Sequence, residues 1–162
     1  MKFKILFLCK SNTNRSVMAA FIFKALLRKN KRMTKYEVSS AGTTVQIPGL
    51  NPDHEMIEFL KQKNIKGRHQ SQQLTKEMLL EYDLIIPVID DCLRDAQRLT
   101  QNQKLRDNIM ALSDFFSADN NIPDFELKTP DTGDHAALAK NFSTILRAEK
   151  KLLSKSEELR KN

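Results

Sequence analysis

The sequence predicts a doubly wound α/β domain, with a central four-stranded parallel sheet and helices packed on both faces. Short apolar runs alternate with stretches of helical periodicity along most of the chain. Its 162 residues, 40% hydrophobic and 29% charged, suffice for one buried core. No repeat, linker or low-complexity tract divides it, so residues 1–162 are expected to form a single domain.

The elements follow in order. Residues 3–8 read as a buried strand. From Ser16 to about Lys29, the apolar residues Met18, Phe21, Ile22, Ala25 and Leu26 keep helical spacing, with Lys24, Arg28 and Lys29 on the wet side. Residues 36–41 form a second strand closed by Gly42. Pro52-Asp53 opens a helix through Met56, Phe59 and Leu60, ended by Asn64 or Gly67. Thr75 caps another helix. Residues 83–88 give a third strand, whose Pro87 must lie where the ladder needs no N–H. Asp90-Asp91 begins a helix carrying Leu93, Ala96 and Leu99, its carboxylates favourably placed at the positive end. Residues 108–112 are expected as a short fourth strand, followed by a long loop to about His135. A last helix carries Leu138, Phe142, Ile145, Leu146, Leu152 and Leu153. This succession is of the flavodoxin-like kind, in which crossovers are right-handed and ligands bind beyond the carboxyl ends of the strands.

Composition narrows the function classes. The apolar run 5–9 behind Met1-Lys2-Phe3-Lys4 is shorter than the roughly 7–15 residues of a signal-peptide core. No apolar run approaches the ~20 residues of a membrane span. Two cysteines, Cys9 and Cys92, are too few for a disulfide framework and point to a reducing cytoplasm. Residues 1–36 carry ten Lys/Arg and no acid, whereas the rest carries 17 bases and 20 acids. A basic first quarter attracts anions. The cluster Arg28, Lys29, Lys31, Arg32 and Lys35 has no interleaved aromatics on which bases could stack, so specific nucleic-acid binding is not expected.

The chemistry lies in the loop after the first strand, Cys9-Lys10-Ser11-Asn12-Thr13-Asn14-Arg15-Ser16. Backbone N–H groups of such a loop converge on one anion, and Arg15 can grip two of its oxygens. A thiol facing those amides and a helix N-terminus is in the setting that favours the nucleophilic thiolate. Thiolate, amide cradle and arginine fork together describe attack on a bound tetrahedral oxyanion.

At these residues the chain resembles the low-molecular-weight protein tyrosine phosphatases, whose loop runs Cys-x-Gly-Asn-x-Cys-Arg-Ser after the first strand. Met18-Ala19, Ser40-Ala41-Gly42-Thr43, the helix after Pro52-Asp53, His69, Gln73-Leu74-Thr75-Lys76-Glu77 and Leu93-Arg94-Asp95 follow in the family's order and approximate spacing. The likeness is close over residues 3 to about 112 and looser beyond. It implies a metal-free, cofactor-free phosphomonoesterase. Cys9 would form a phosphocysteine, and Arg15 with the amides of residues 10–15 would bind the phosphoryl oxygens. Ser16 would hydrogen-bond the thiolate, while Asn12, Ser40 and His69 would hold the loop in shape. The partners implied are a phosphorylated protein or a small aryl phosphate, with phosphate and vanadate as inhibitors.

An alkoxide or phenoxide leaves poorly without a proton, so a carboxylic acid is also required. The family supplies an Asp-Pro just before the last helix. Asp131, in Pro130-Asp131-Thr132-Gly133, is the expected counterpart; Asp124, in Pro123-Asp124-Phe125, is its rival. Several positions depart from the family pattern. Ser11 stands where the family has Gly, which would cost about 1 kcal/mol if its φ were positive. Asn14 replaces a second loop cysteine, Val17 replaces Pro, and Thr132-Gly133 replaces an aromatic pair that walls a phenyl pocket. Two other readings compete. Arsenate reduction on the same fold needs two further cysteines, and only Cys92 remains. A module that holds phosphorylated ligands without turnover would keep Cys9 and Arg15 but lack a usable Asp131.

Overall fold

The computed structural model describes residues 1–116 and 126–162. Three parallel strands, β1 (Phe3–Cys9), β2 (Tyr36–Gly42) and β3 (Leu84–Pro87), lie in the order β2-β1-β3. Helices α1 (Arg15–Lys29), α2 (His54–Gln62), α3 (Lys76–Glu81), α4 (Asp90–Arg98), α5 (Gln103–Asp107) and α6 (His135–Lys161) surround them. No helix among the described residues is long and apolar enough to cross a membrane.

The alternation along β1 sorts the core into two layers, because successive strand side chains point to opposite faces. Ile5, Phe7 and Cys9 join α1, α2 and α6 in one cluster. Leu6 and Leu8 join Leu79, Cys92 and Ala96 from α3 and α4 in the other. Helix α1 is more deeply buried than one apolar stripe implies. Val17, Ala19, Ala20, Phe23 and Leu27 are buried with the expected face, because α1 packs on β1 and β2 and also against α6.

The expected fourth strand does not form. Ile85 is bridged to Ile109 by two bonds, Ile85 N–H to Asn108 O and Met110 N–H to Ile85 O, both 2.9 Å. The next rung of a parallel ladder would need an N–H at residue 87, and proline has none. The pairing ends there, and Leu112–Phe115 turns into a 3-10 helix. The missing N–H of Pro87 thus falls on the side of β3 away from β1, where it holds the sheet to three strands among the described residues. Helix α5, capped by the Asn102 side chain on Lys104 N–H, was not expected from the sequence.

Helix ends follow their caps. Asp53 accepts from Met56 N–H at the start of α2, and Asp134 accepts from Ala137 N–H at the start of α6. Lys31 (φ 56°) and Asn64 (φ 59°) are the left-handed residues beyond α1 and α2. The bonds Arg32 N–H to Leu27 O and Ile65 N–H to Leu60 O close the last turns.

Candidate active site

The carboxyl end of β1 delivers Cys9, 1% exposed, directly into the loop that leads to α1. Two flanking bonds fix the loop's entry: Thr43 N–H donates to Cys9 O at 2.9 Å and Thr44 N–H to Lys10 O at 3.0 Å. Gly42 permits this approach, since a Cβ there would lie 2.3 Å from the Lys10 carbonyl oxygen. Lys10 and Ser11 are exposed at the mouth. The Lys10 ammonium lies 3.2 Å from an Asp91 carboxylate oxygen at the start of α4.

Asn12 is the hub. It is fully buried and left-handed, with φ 59°. Asparagine tolerates that region better than most residues. Its side chain uses its full capacity: Nδ2 donates to Ser16 Oγ at 2.9 Å and Ser40 Oγ at 3.0 Å, while Oδ1 accepts from Gln72 N–H and His69 Nε2, both at 2.9 Å. The backbone donor Gln72 fixes which end is oxygen and so places the His69 proton on Nε2. Ser11 has no positive φ; the left-handed position falls one residue later, so the anticipated strain at Ser11 does not arise.

Ser16 Oγ is 2.9 Å from Cys9 Sγ. A thiolate at Cys9 has no proton to give, so with Cys9 in that form the Ser16 hydroxyl is the donor. Arg15, the first residue of α1, donates through its guanidinium to Leu127 O at 3.2 Å, a tie to the segment that precedes α6. Thr13 O accepts from Asp53 N–H at 2.8 Å, joining the loop to the start of α2. Asn14 Oδ1 is buried without a hydrogen-bond partner among the described residues.

Asn12, Ser16, Ser40 and His69 are thus joined in one hydrogen-bonded cluster, which touches Cys9 through Ser16. His69 is half-buried; burial pulls its imidazole below the ordinary 6.5, the Asn12 carbonyl opposes this, and Lys24 adds to the fall. Gln72, which also donates from Nε2 to Ser40 O at 2.9 Å, is a member that sequence reading missed. Its strongest contribution is a backbone N–H, which leaves no mark in residue type. Cys92 is fully buried, 3.4 Å from Thr43 Oγ1, and burial pushes its thiol up to about 11.

Asp131 is exposed, in a turn immediately before α6. Asp134 N–H closes that turn on Asp131 O at 3.0 Å, with Gly133 left-handed at φ 79°. The segment leading to it is held by Arg15 on Leu127 O and by Asn141 Nδ2 on Lys128 O at 2.7 Å. Glu55 takes the Gly133 N–H at 2.8 and 3.1 Å from its two oxygens. Asp124 lies outside the described residues. His54 and His135 are exposed and take no part in the Asn12 network.

A buried thiol at a strand's end, an arginine at the next helix start and a fully bonded Asn-Ser-Ser-His cluster invite comparison with known proteins. The family model described as low molecular weight phosphotyrosine protein phosphatase matches residues 4–162. The protein of that name from Saccharomyces cerevisiae is 26% identical over 155 residues, covering 95% of each chain. Its counterpart from Gallus gallus is 30% identical over 100 residues, 62% of this chain and 63% of that protein. Among solved structures, a protein tyrosine phosphatase from Entamoeba histolytica superposes with a TM-score of 0.89 at 23% identity, covering 97% and 98% of the two chains, a likeness of fold. With residues 4–162 matched by the family model, the chain belongs to the low molecular weight phosphotyrosine protein phosphatase family.

Proposed function

We propose that this chain is a cysteine-dependent phosphomonoesterase that hydrolyses phosphotyrosine in proteins through a phosphocysteine intermediate. The observation that carries the reading is the 2.9 Å contact between Ser16 Oγ and Cys9 Sγ inside the loop closed by Arg15. It gives the thiolate a hydrogen-bond donor at the position from which it attacks and to which it must return.

In the first step Cys9 Sγ forms a bond to phosphorus as the bond to the leaving oxygen breaks, and Asp131 gives that oxygen a proton. Arg15 and the amides of Lys10, Ser11, Asn12, Thr13, Asn14 and Arg15 hold the three equatorial oxygens, stabilising charge where it concentrates. In the second step Asp131 takes a proton from water, water attacks phosphorus, and the sulfur departs as thiolate with the Ser16 hydroxyl donating to it. Asn12, Ser40 and His69 keep the loop in the shape that both steps need. The thiolate supplies the nucleophile and the arginine the charge stabilisation, so no metal or cofactor is required.

Residues 1–162 are proposed to act as one domain, in a reducing cytoplasm that keeps Cys9 reduced. A phosphorylated protein or a small aryl phosphate is the partner proposed, with phosphate and vanadate competing for the loop. Thr132-Gly133 offers no aromatic wall, so binding of the phenyl ring rests on other sides of the cleft. Rapid quenching during turnover, followed by mass spectrometry of the Cys9 peptide, tests the reading. A phosphate adduct on Cys9 is expected; an unmodified Cys9 throughout turnover contradicts it.

A further inference from the structure

Helix α2 touches both halves of the proposed chemistry. Its N-cap residue Asp53 donates its backbone N–H to Thr13 O of the phosphate-binding loop at 2.8 Å. Two residues later, in the first turn, half-buried Glu55 accepts the Gly133 N–H at 2.8 and 3.1 Å. Gly133 is the third residue of the turn that begins at Asp131, and its φ of 79° is the conformation a type II turn demands there. A single helical turn, capped by the Asp53 carboxylate on Met56 N–H, therefore spans from the loop that holds phosphate to the turn that carries Asp131.

Apart from its junction with α6, the Asp131 turn has little else to hold it. Residues 131–135 are all exposed, and a Cβ added at Gly133 would meet no atom within 4 Å. Asp134 N–H to Asp131 O and His135 N–H to Gly133 O fix the shape of the turn, while Asp134, accepting from Ala137 N–H and Leu138 N–H, ties its far end to α6. An exposed turn tied to the helix only at its far end can still swing about that end unless something grips it nearer Asp131, and a displacement of about 1 Å at a proton donor can cost of order 10²-fold in rate. A carboxylate accepting a backbone N–H makes one of the stronger single hydrogen bonds available.

We propose that Glu55 is a positioning residue for the general acid: its carboxylate grips the Gly133 N–H and sets the Asp131 turn against the phosphate-binding loop. The inference rests on the reading of Asp131 as the acid. Glu55 itself touches neither phosphate nor the leaving oxygen.

Leaving-group dependence separates this role from a structural one. The quantity to measure is kcat/KM, which reports transfer to Cys9, for phenyl phosphate and 2,4-dinitrophenyl phosphate with wild type, Asp131→Asn, Glu55→Ala, Glu55→Gln and Glu55→Asp. Phenoxide needs a proton to leave and dinitrophenoxide does not. Glu55→Ala should lose roughly 10- to 100-fold on phenyl phosphate and less than about threefold on the dinitrophenyl ester. Glu55→Gln, whose amide oxygen still accepts the N–H, should recover most of the loss. Glu55→Asp keeps the charge but falls short of Gly133 and should lose selectively as well, which keeps the test decisive if the alanine chain does not fold. Inhibition by inorganic phosphate should be unchanged in every Glu55 variant. If Asp131→Asn shows the selective loss while the folded Glu55 variants lose nothing, or lose equally on both esters, the positioning role is overturned. If Asp131→Asn shows no selective loss, the reading of Asp131 itself fails, and the role of Glu55 with it.

Discussion

Asn12 and His69 meet 57 residues apart in sequence, with His69 Nε2 2.9 Å from Asn12 Oδ1, and that contact completes the four hydrogen bonds of a buried, left-handed asparagine. One side chain thereby joins the Cys9–Ser16 loop to β2 through Ser40 and to the 69–72 segment through His69 and Gln72. The loop's curvature depends on tertiary contacts rather than on glycine, which residues 9–16 lack.

Substitutions at Asn12 should separate backbone strain from lost bonds. Asn12→Gly keeps access to positive φ but strands buried partners, and should cost about 1–3 kcal/mol of stability. Asn12→Ala adds the left-handed penalty and should cost about 1 kcal/mol more. Urea unfolding of the three chains measures both; equal stability of the two variants would contradict the strain argument.

His69 should titrate below 6.5, as its burial dictates. The unfolded chain then takes up a proton before the folded one. The stability this adds is fully present above pH 6.5 and is lost as pH falls toward the lower folded-state value. An NMR titration of the imidazole checks the direction, and a His69 value above 6.5 would reverse the sign.

Glu149 is an expense within α6. It is fully buried, neither carboxyl oxygen has a partner among the described residues, and burial pushes it well above the ordinary 4.5. The folded chain holds this proton when the unfolded one has released it, so stability falls as pH rises from 4.5 toward the raised folded value. Glu149→Leu should raise stability at neutral pH by about 1–3 kcal/mol and flatten its pH dependence above 4.5. Thermal melts across that range read both effects.

Most of the frame was legible in the sequence because its determinants are local. The apolar run 3–8, the spacing of Met18, Phe21, Ile22 and Leu26, and the caps Asp53 and Thr75 each act within a few residues. The fourth strand was misread because residues 108–112 have strand character, while what ends the pairing is Pro87, some twenty residues earlier. At the site, Cys9 and Arg15 announce themselves by residue type and spacing, and His69 and Ser40 through the family pattern. Gln72 and Glu55 did not, since each makes its contact through a backbone N–H that only the folded chain brings near.

The choice of acid is open to a direct comparison. Asp131→Asn should slow hydrolysis of phenyl phosphate by roughly 10²–10⁴-fold, the usual share of a general acid, while Asp124→Asn should leave the rate near wild type. The reverse result would move the role to Asp124.

The central claim is that Cys9 is the nucleophile. Hydrolysis of p-nitrophenyl phosphate without added metal, by wild type and Cys9→Ser side by side and with vanadate binding measured on both, tests it most directly. Wild type should release nitrophenol, Cys9→Ser should release none, and both should bind vanadate, because Arg15 and the loop amides remain. Release by Cys9→Ser at the wild-type rate, or none by the folded wild type, would contradict it.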